Sequence, residues 1–86
     1  MSQRDQRRLV TAGQMRAARA LIGISQTELA RRAGVSVPTV KRCESEGRNV
    51  PSVSIETQSK LRSALEAEGV EFTNGENPGV RLFRSR

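Results

Sequence analysis

Apolar positions along the chain follow a helical period up to about residue 69 and a strand-like alternation after it. The first apolar stripe, with spacings of three and four, consists of Met15, Ala18, Leu21 and Ile22. This stripe predicts a helix that begins at Thr11, where Thr11 and Gln14 have the spacing of a capping box, and that ends at Gly23.

Residues 25–44, SQTELARRAGVSVPTVKRCE, divide into two short helices joined by a tight turn. Ser25 is the predicted N-cap of the first helix, and Glu28 three residues later completes a capping box. Gly34 ends this helix, because glycine adopts a left-handed conformation at little cost. Ser36 is a second N-cap, so the next helix is predicted from residue 37 to about residue 45. Two short helices joined through a glycine-containing turn are typical of a helix-turn-helix.

The second of these helices separates its residues by side. At 100° per residue, Val40 and Cys43 point inward. The outward side carries Val37, Pro38, Lys41, Arg42 and Ser45. Two cations and two small apolar residues suit the DNA major groove, which admits an α-helix and displays a distinct pattern at each base pair. The alternative is an ordinary solvated helix face, since Lys and Arg belong on surfaces.

A last helix is predicted from residue 55 to about residue 68, capped by Ser54 and ended by Gly69. Its apolar side consists of Ile55, Leu61, Ala64 and Leu65. Two short alternating segments follow, separated by the turn signals Asn74-Gly75 and Pro78-Gly79, and predict a strand or hairpin.

The C-terminal tail is predicted to serve dimerisation, because a two-stranded hairpin is marginally stable alone and needs something to pack on. The dimerisation candidates are Leu65, Val70, Phe72, Val80, Leu82 and Phe83. The alternative is that the tail covers the core of its own chain.

The net charge of +6 lies entirely on residues 1–48, which hold ten Lys/Arg and four acids. Residues 49–86 hold five basic and five acidic residues, so the helix-turn-helix segment carries the whole excess, as expected for a protein that binds a polyanion. In residues 1–10, Arg4, Arg7 and Arg8 are expected either to follow the DNA backbone or minor groove as a flexible arm, or to be a plain tail. Arg48 and Asn49 lie in a predicted loop that either meets the sugar-phosphate backbone or merely connects two helices.

The composition argues against several other functions. The absence of histidine excludes a catalytic triad, an imidazole base and a histidine-containing metal site, so we expect neither an enzyme nor a cofactor or metal. Cys43 is the only cysteine and is interpreted as a small core residue rather than a redox sensor. No segment has the apolar length of a membrane helix or signal peptide, which predicts a cytoplasmic protein that does not bind membranes. The basic half contains no aromatic residue, which disfavours recognition of single strands by base stacking.

The stretch resembles the helix-turn-helix of the phage repressor and Cro family, also called the XRE family, over about residues 11–65. The matching residues are Arg19, Gln26, Ala30, Gly34, Val35, Val40 and Glu44. The resemblance implies that Gln26 binds a phosphate and braces the readout helix, and that Arg19 and Glu44 form a structural ion pair. It also implies that base edges are faced by Val37, Pro38 and Arg42.

The chain departs from this family's pattern at two places. Cys43 stands where a larger aliphatic residue is usual. Val37 and Pro38 stand where several members carry hydrogen-bonding side chains, so contact between Val37 and a thymine methyl group is the expected substitute.

Together these patterns predict a mainly α fold: a repressor-like helix-turn-helix bundle of four to five short helices with a C-terminal β-strand or hairpin. We expect a basic arm (1–10), a DNA-binding domain (11–69) and a dimerisation tail (70–86). The predicted function is a transcriptional regulator, of the repressor or controller type, that binds an inverted repeat in double-stranded DNA as a homodimer. The alternative is an antitoxin that binds a toxin through its tail, and an antiactivator is a further kind of small protein partner. The base-reading candidates are Val37, Pro38, Lys41 and Arg42, and the backbone-contacting candidates are Gln26, Ser36, Thr39, Ser45, Arg48 and Asn49.

Overall fold

A computed structural model of the chain describes residues 10–45, 53–73 and 77–83. Within these residues the elements in chain order are α1 (Ala12–Ile22), α2 (Gln26–Ala33), α3 (Val37–Cys43), α4 (Ile55–Glu66), β1 (Val70–Thr73) and β2 (Gly79–Leu82). The mainly helical fold with a C-terminal hairpin confirms the fold class expected from the sequence. Helices α3 and α4 each end about two residues earlier than the apolar pattern predicted.

The helix starts are capped by the residues that the sequence indicated. At α1, Thr11 Oγ1 accepts from the Gln14 backbone N–H and Gln14 Oε1 accepts from the Thr11 N–H, which is a complete capping box. At α2, Ser25 Oγ accepts from the Glu28 N–H, but the Glu28 carboxylate accepts from Arg31 and Arg32. The reciprocal half of the predicted box at Ser25 is therefore replaced by ion pairs, because two guanidinium groups one turn ahead compete for that carboxylate.

The turn between α2 and α3 depends on Gly34, which has φ of 73°. A left-handed residue at this place ends α2 and lets the chain turn into α3 within three residues. Ser36 then caps α3, with its side chain accepting from the Thr39 N–H. The two helices of the motif pack directly against each other.

The core is built from all four helices and the hairpin. Its buried apolar members are Met15, Ala18, Leu29, Ala30, Val40, Leu61, Leu65, Val70 and Phe72. Two residues predicted to be in the core are exposed instead: Leu21 is 42% exposed and Ile55 is 49% exposed. Leu21 lies about 120° around α1 from Met15, at the margin of the stripe, and Ile55 is the first residue of α4, where little of the fold covers it.

The hairpin lies on α1 and α4, with β1 and β2 antiparallel and Phe72 opposite Val80. Leu65, Val70 and Phe72 are buried by their own chain, which corrects the expectation that these three contact a partner. The physical reason is that β1 packs on α1 and α4, so the side chains on its inward face become part of the hydrophobic core. Val80 and Leu82 are half-buried and Phe83 is 58% exposed, so these three still offer apolar surface.

Candidate nucleic-acid interface

The outward side of α3 is the surface on which the sequence predicted base reading. Val40, on the opposite side, is fully buried and anchors α3 in the core. Pro38 and Lys41 are exposed, while Val37 and Arg42 are half-buried. Val37 also packs partly against the core, so only part of its side chain is available to a ligand.

The cations on α3 are electrostatically distinct from those on α2. Glu28 pairs with both Arg31 and Arg32, and these hydrogen bonds lower the pKa of Glu28 to about 2. Arg32 also pairs with Glu68 (Nη1 to Oε2, 2.7 Å). Among the described residues, Lys41 and Arg42 have no ion-pair partner, and α3 itself contains no acidic residue. The positive charge of α3 is therefore not neutralised by an ion pair within the part of the chain that the structure describes.

The C-terminal end of α3 is held by a cluster around Glu44, a residue that is almost fully buried. Arg19 donates from Nε to Oε2 (2.8 Å) and from Nη2 to Oε1 (3.0 Å), and Gln26 Nε2 donates to the same Oε1 (3.0 Å). Arg19 Nη1 also donates to the Ile24 carbonyl (3.0 Å), at the turn between α1 and α2. One carboxylate thus joins α1, α2 and the end of α3.

The protonation state of Glu44 follows from these contacts. Burial alone raises the pKa of Glu44, but the hydrogen bonds from Arg19 and Gln26 and the nearby charges of Arg19 and Arg16 outweigh it, so the pKa lies below its ordinary value. The carboxylate is therefore charged at neutral pH, as the ion pair requires.

Sequence reasoning did not single out Arg16, which also contacts this cluster. Its Nη1 donates to the main-chain carbonyl of Glu44 at 2.6 Å. The only sequence signal is that Arg16 and Arg19 are three residues apart on α1 and hence neighbours on its surface.

The candidate phosphate-contacting side chains differ in the hydrogen atoms that they can donate. Gln26 uses one amide hydrogen on Glu44 and keeps a second for another acceptor, because an amide NH₂ has two donors. Ser36 and Thr39 bond each other (Oγ to Oγ1, 2.8 Å), so one hydroxyl hydrogen of this pair remains. Ser45 Oγ donates to the Lys41 carbonyl (2.7 Å), and its hydroxyl must rotate away before it can donate to a phosphate.

Several predicted contact residues lie outside the described residues: Arg4, Arg7, Arg8, Arg48 and Asn49. For the described part of the chain, no helix is long and apolar enough to cross a membrane. The same residues contain no cluster of three or more His, Cys, Asp or Glu side chains that could hold a metal ion.

Comparison with models of protein families identifies a domain in this chain. A family model described as a helix-turn-helix domain matches residues 4–72, which is most of the chain. No curated protein matches the sequence.

Proposed function

The chain belongs to the helix-turn-helix domain family, and on that premise we propose that it is a regulator that binds a specific sequence in double-stranded DNA as a homodimer. The observation that carries this proposal is the outward side of α3. It combines unneutralised cations with small apolar side chains on a helix whose other side is anchored by Val40. Such a helix can enter the major groove without unpacking the core.

Base discrimination in this proposal comes from four side chains with different chemistry. Arg42 and Lys41 donate to the acceptors of guanine, O6 and N7, in the major groove. Val37 and Pro38 contact thymine methyl groups at the helix start, because neither side chain can donate a hydrogen bond. We therefore expect a half-site that contains both guanine and thymine.

Affinity comes mainly from phosphate contacts, which carry no sequence information but fix the register of the protein on the duplex. Gln26 stands at the N-terminus of α2, where backbone N–H groups also favour an anion. Its side chain braces Glu44 with one hydrogen and presents the other to a phosphate. At the start of α3, Ser36 and Thr39 offer the one hydroxyl hydrogen that their mutual bond leaves over to a second phosphate.

A homodimer accounts for specificity that one short helix cannot supply. Helix α3 has seven residues, so a single copy reads only a few base pairs. Two copies related by a two-fold axis place their readout helices about 34 Å apart, one turn of DNA, on an inverted repeat. The half-buried Val80 and Leu82 and the exposed Phe83 supply the apolar surface for this contact.

We further place the chain in the phage repressor and Cro (XRE) branch of helix-turn-helix proteins, as a cytoplasmic binding protein without catalytic activity. The arrangement of Arg19, Gln26 and Glu44 supports the branch, because it is the arrangement that the sequence resemblance implied. Exposed Phe83 also fits a different protein partner, as an antitoxin would need, and the mass of the purified chain in solution separates the two ideas. A dimer supports the regulator, and a monomer that dimerises neither alone nor on DNA favours a second protein.

Selection of duplexes from a random pool at moderate salt, followed by sequencing, tests the proposal. We expect enrichment of an inverted repeat whose half-site centres are about one helical turn apart. Salt-sensitive binding without any enriched sequence would contradict a specific readout, because it would mean that only phosphates are contacted.

A further inference from the structure

Two arginines of α1 hold the last residue of the readout helix in different ways. Arg19 binds the carboxylate of Glu44 with two of its nitrogen atoms, whereas Arg16 binds the main-chain carbonyl of the same residue at 2.6 Å. The first contact orients a side chain. The second acts directly on the backbone at the C-cap of α3.

Helix α3 needs such support because it is short. Seven residues make about two turns, which is too short to be stable by intrinsic propensity. The last carbonyl groups of a helix have no partner within it, and a cation near them also interacts favourably with the helix dipole. Arg16 supplies both a donor and a positive charge at this end.

The backbone of α1 approaches α3 less closely than the backbone of α2 does. Among the described elements, α3 packs closely against α2, while α1 packs closely against the hairpin and α4. The pair α1 and α3 is not among the closely packed pairs of described elements. Within the described part of the chain, hydrogen bonds from Arg16 and Arg19 to Glu44 connect α1 with the C-terminal end of the readout helix.

We propose that Arg16 is a positioning residue for base recognition, which fixes the C-terminal turn of α3 through the Glu44 carbonyl so that Lys41 and Arg42 meet base edges in register. The inference rests on the proposed DNA-binding function. It assigns to Arg16 a role in discrimination between sequences rather than in general affinity for DNA. Direct contact between Arg16 and a phosphate would instead weaken binding to every duplex alike.

The substitution Arg16→Met tests this assignment, because it keeps the length of the side chain and removes the donors and the charge. Arg81→Met is the matched control, because it removes the same charge at a position far along the chain from α3. Arg81 is exposed on β2, where it pairs with Glu71 (2.6 Å). Each variant is titrated against a duplex selected by the wild-type protein and against a scrambled duplex, at several salt concentrations. We expect Arg16→Met to reduce the ratio of the two affinities by about fivefold or more, since one base contact is worth about that much. Its salt dependence should equal that of Arg81→Met.

Two results would overturn the proposal. One is equal weakening on both duplexes with a salt slope smaller by about 0.9, which identifies a lost phosphate contact. The other is an unchanged affinity ratio, which means that Arg16 does not position the readout helix. A merely structural role would lower the unfolding midpoint and leave the affinity ratio of the folded protein unchanged.

Amide hydrogen exchange in the DNA-free protein provides a second readout that does not depend on the duplex. The Glu44 N–H donates to the Val40 carbonyl at 3.0 Å, and we expect its exchange to be faster in Arg16→Met and closer to wild type in Arg16→Lys. If Arg16→Met does not fold, Arg16→Lys provides the test. Lysine has one donor nitrogen on a side chain of shorter reach, so Arg16→Lys should still give faster exchange and a smaller affinity ratio than wild type. Two unchanged values would refute the role. A wild-type protein that does not discriminate between duplexes would refute the proposed function, while the exchange measurement would still report on Arg16.

Discussion

Arg19 and Glu44 form a two-point ion pair across 25 residues of sequence, with Arg19 Nε at 2.8 Å from Oε2 and Nη2 at 3.0 Å from Oε1. The side chain of Glu44 is 4% exposed and that of Arg19 is 23% exposed. Because a buried carboxylate is costly without its partner, this pair makes the position of α3 depend on α1.

Replacement of Arg19 by Met should lower the free energy of unfolding by about 3 kcal/mol, because the buried carboxylate of Glu44 loses both of its bonds to the guanidinium group. Urea denaturation measures the change. The double variant Arg19→Met/Glu44→Leu should be less destabilised than Arg19→Met alone, since it removes the stranded charge as well. Arg31→Met is the control for loss of a surface ion pair, and a loss of stability in Arg31→Met equal to that in Arg19→Met would contradict this account.

Acid should destabilise the fold in part through Glu44 and Glu28. The pKa of Glu44 lies below its ordinary value of 4.5, and that of Glu28 is lowered to about 2. Both carboxylates therefore contribute stability above pH 4.5 that is lost as the pH falls below it toward their folded-state pKa values. Urea midpoints measured between about pH 5 and about pH 3 should fall less steeply for Glu44→Gln than for wild type. Equal slopes would show that Glu44 carries none of the acid sensitivity.

Gln14 should be needed for docking of the hairpin on α1. Its Nε2 donates to the carbonyls of Thr73 (2.7 Å) and Gly79 (2.9 Å), one on each strand. Gln14→Ala should lower the free energy of unfolding by about 1–3 kcal/mol, because each of the two lost hydrogen bonds contributes about 0.5–1.5 kcal/mol net. In Gln14→Ala, the rate of amide hydrogen exchange should rise more in the hairpin than in α2. Gln58→Ala is a suitable control, because Gln58 makes a comparable side-chain bond to the Val53 carbonyl (3.1 Å) near the start of α4. The prediction is wrong if both substitutions expose the hairpin equally.

Substitution of Gly34 and of Gly69 by alanine should lower the stability of the fold by different amounts, although both glycines have positive φ. Gly34→Ala should cost about 1–2 kcal/mol from backbone strain alone, since a Cβ atom there meets nothing within 4 Å. At Gly69, with φ of 100°, a Cβ atom would lie 2.6 Å from the Phe83 carbonyl oxygen. Gly69→Ala should therefore lower the thermal midpoint clearly more than Gly34→Ala, and the reverse order would show that the end of the hairpin can shift freely.

The sequence predicted local structure well, because its signals are local. The hydroxyl group of Ser36 indicates a helix cap and the backbone freedom of Gly34 indicates a turn, and both residues act as expected. Contacts between distant parts of the chain were harder to predict: Gln14 meets Thr73 across 59 residues and Arg16 meets Glu44 across 28. Helical periodicity shows which side of an element is apolar, but not which partner a polar side chain on that element will reach. For this reason the roles of Gln14 and Arg16 became visible only in the folded chain.

The predicted readout residues illustrate the same limit. The helical period correctly separated the buried Val40 from the exposed Lys41. It did not show that Val37 would pack partly on the core or that the Ser45 hydroxyl would donate to the Lys41 carbonyl of α3. The roles of these residues toward DNA stay predictions that binding measurements must test.

The most direct test of base reading by α3 is a competition titration of wild type and Arg42→Ala, in which a selected duplex and a scrambled duplex of equal length compete. We expect Arg42→Ala to lose about 1–3 kcal/mol of discrimination between the two duplexes and to keep most of its affinity for the scrambled one. Equal weakening on both duplexes would contradict the account, because it would reduce Arg42 to a phosphate contact and leave the outward face of α3 without a role in reading sequence.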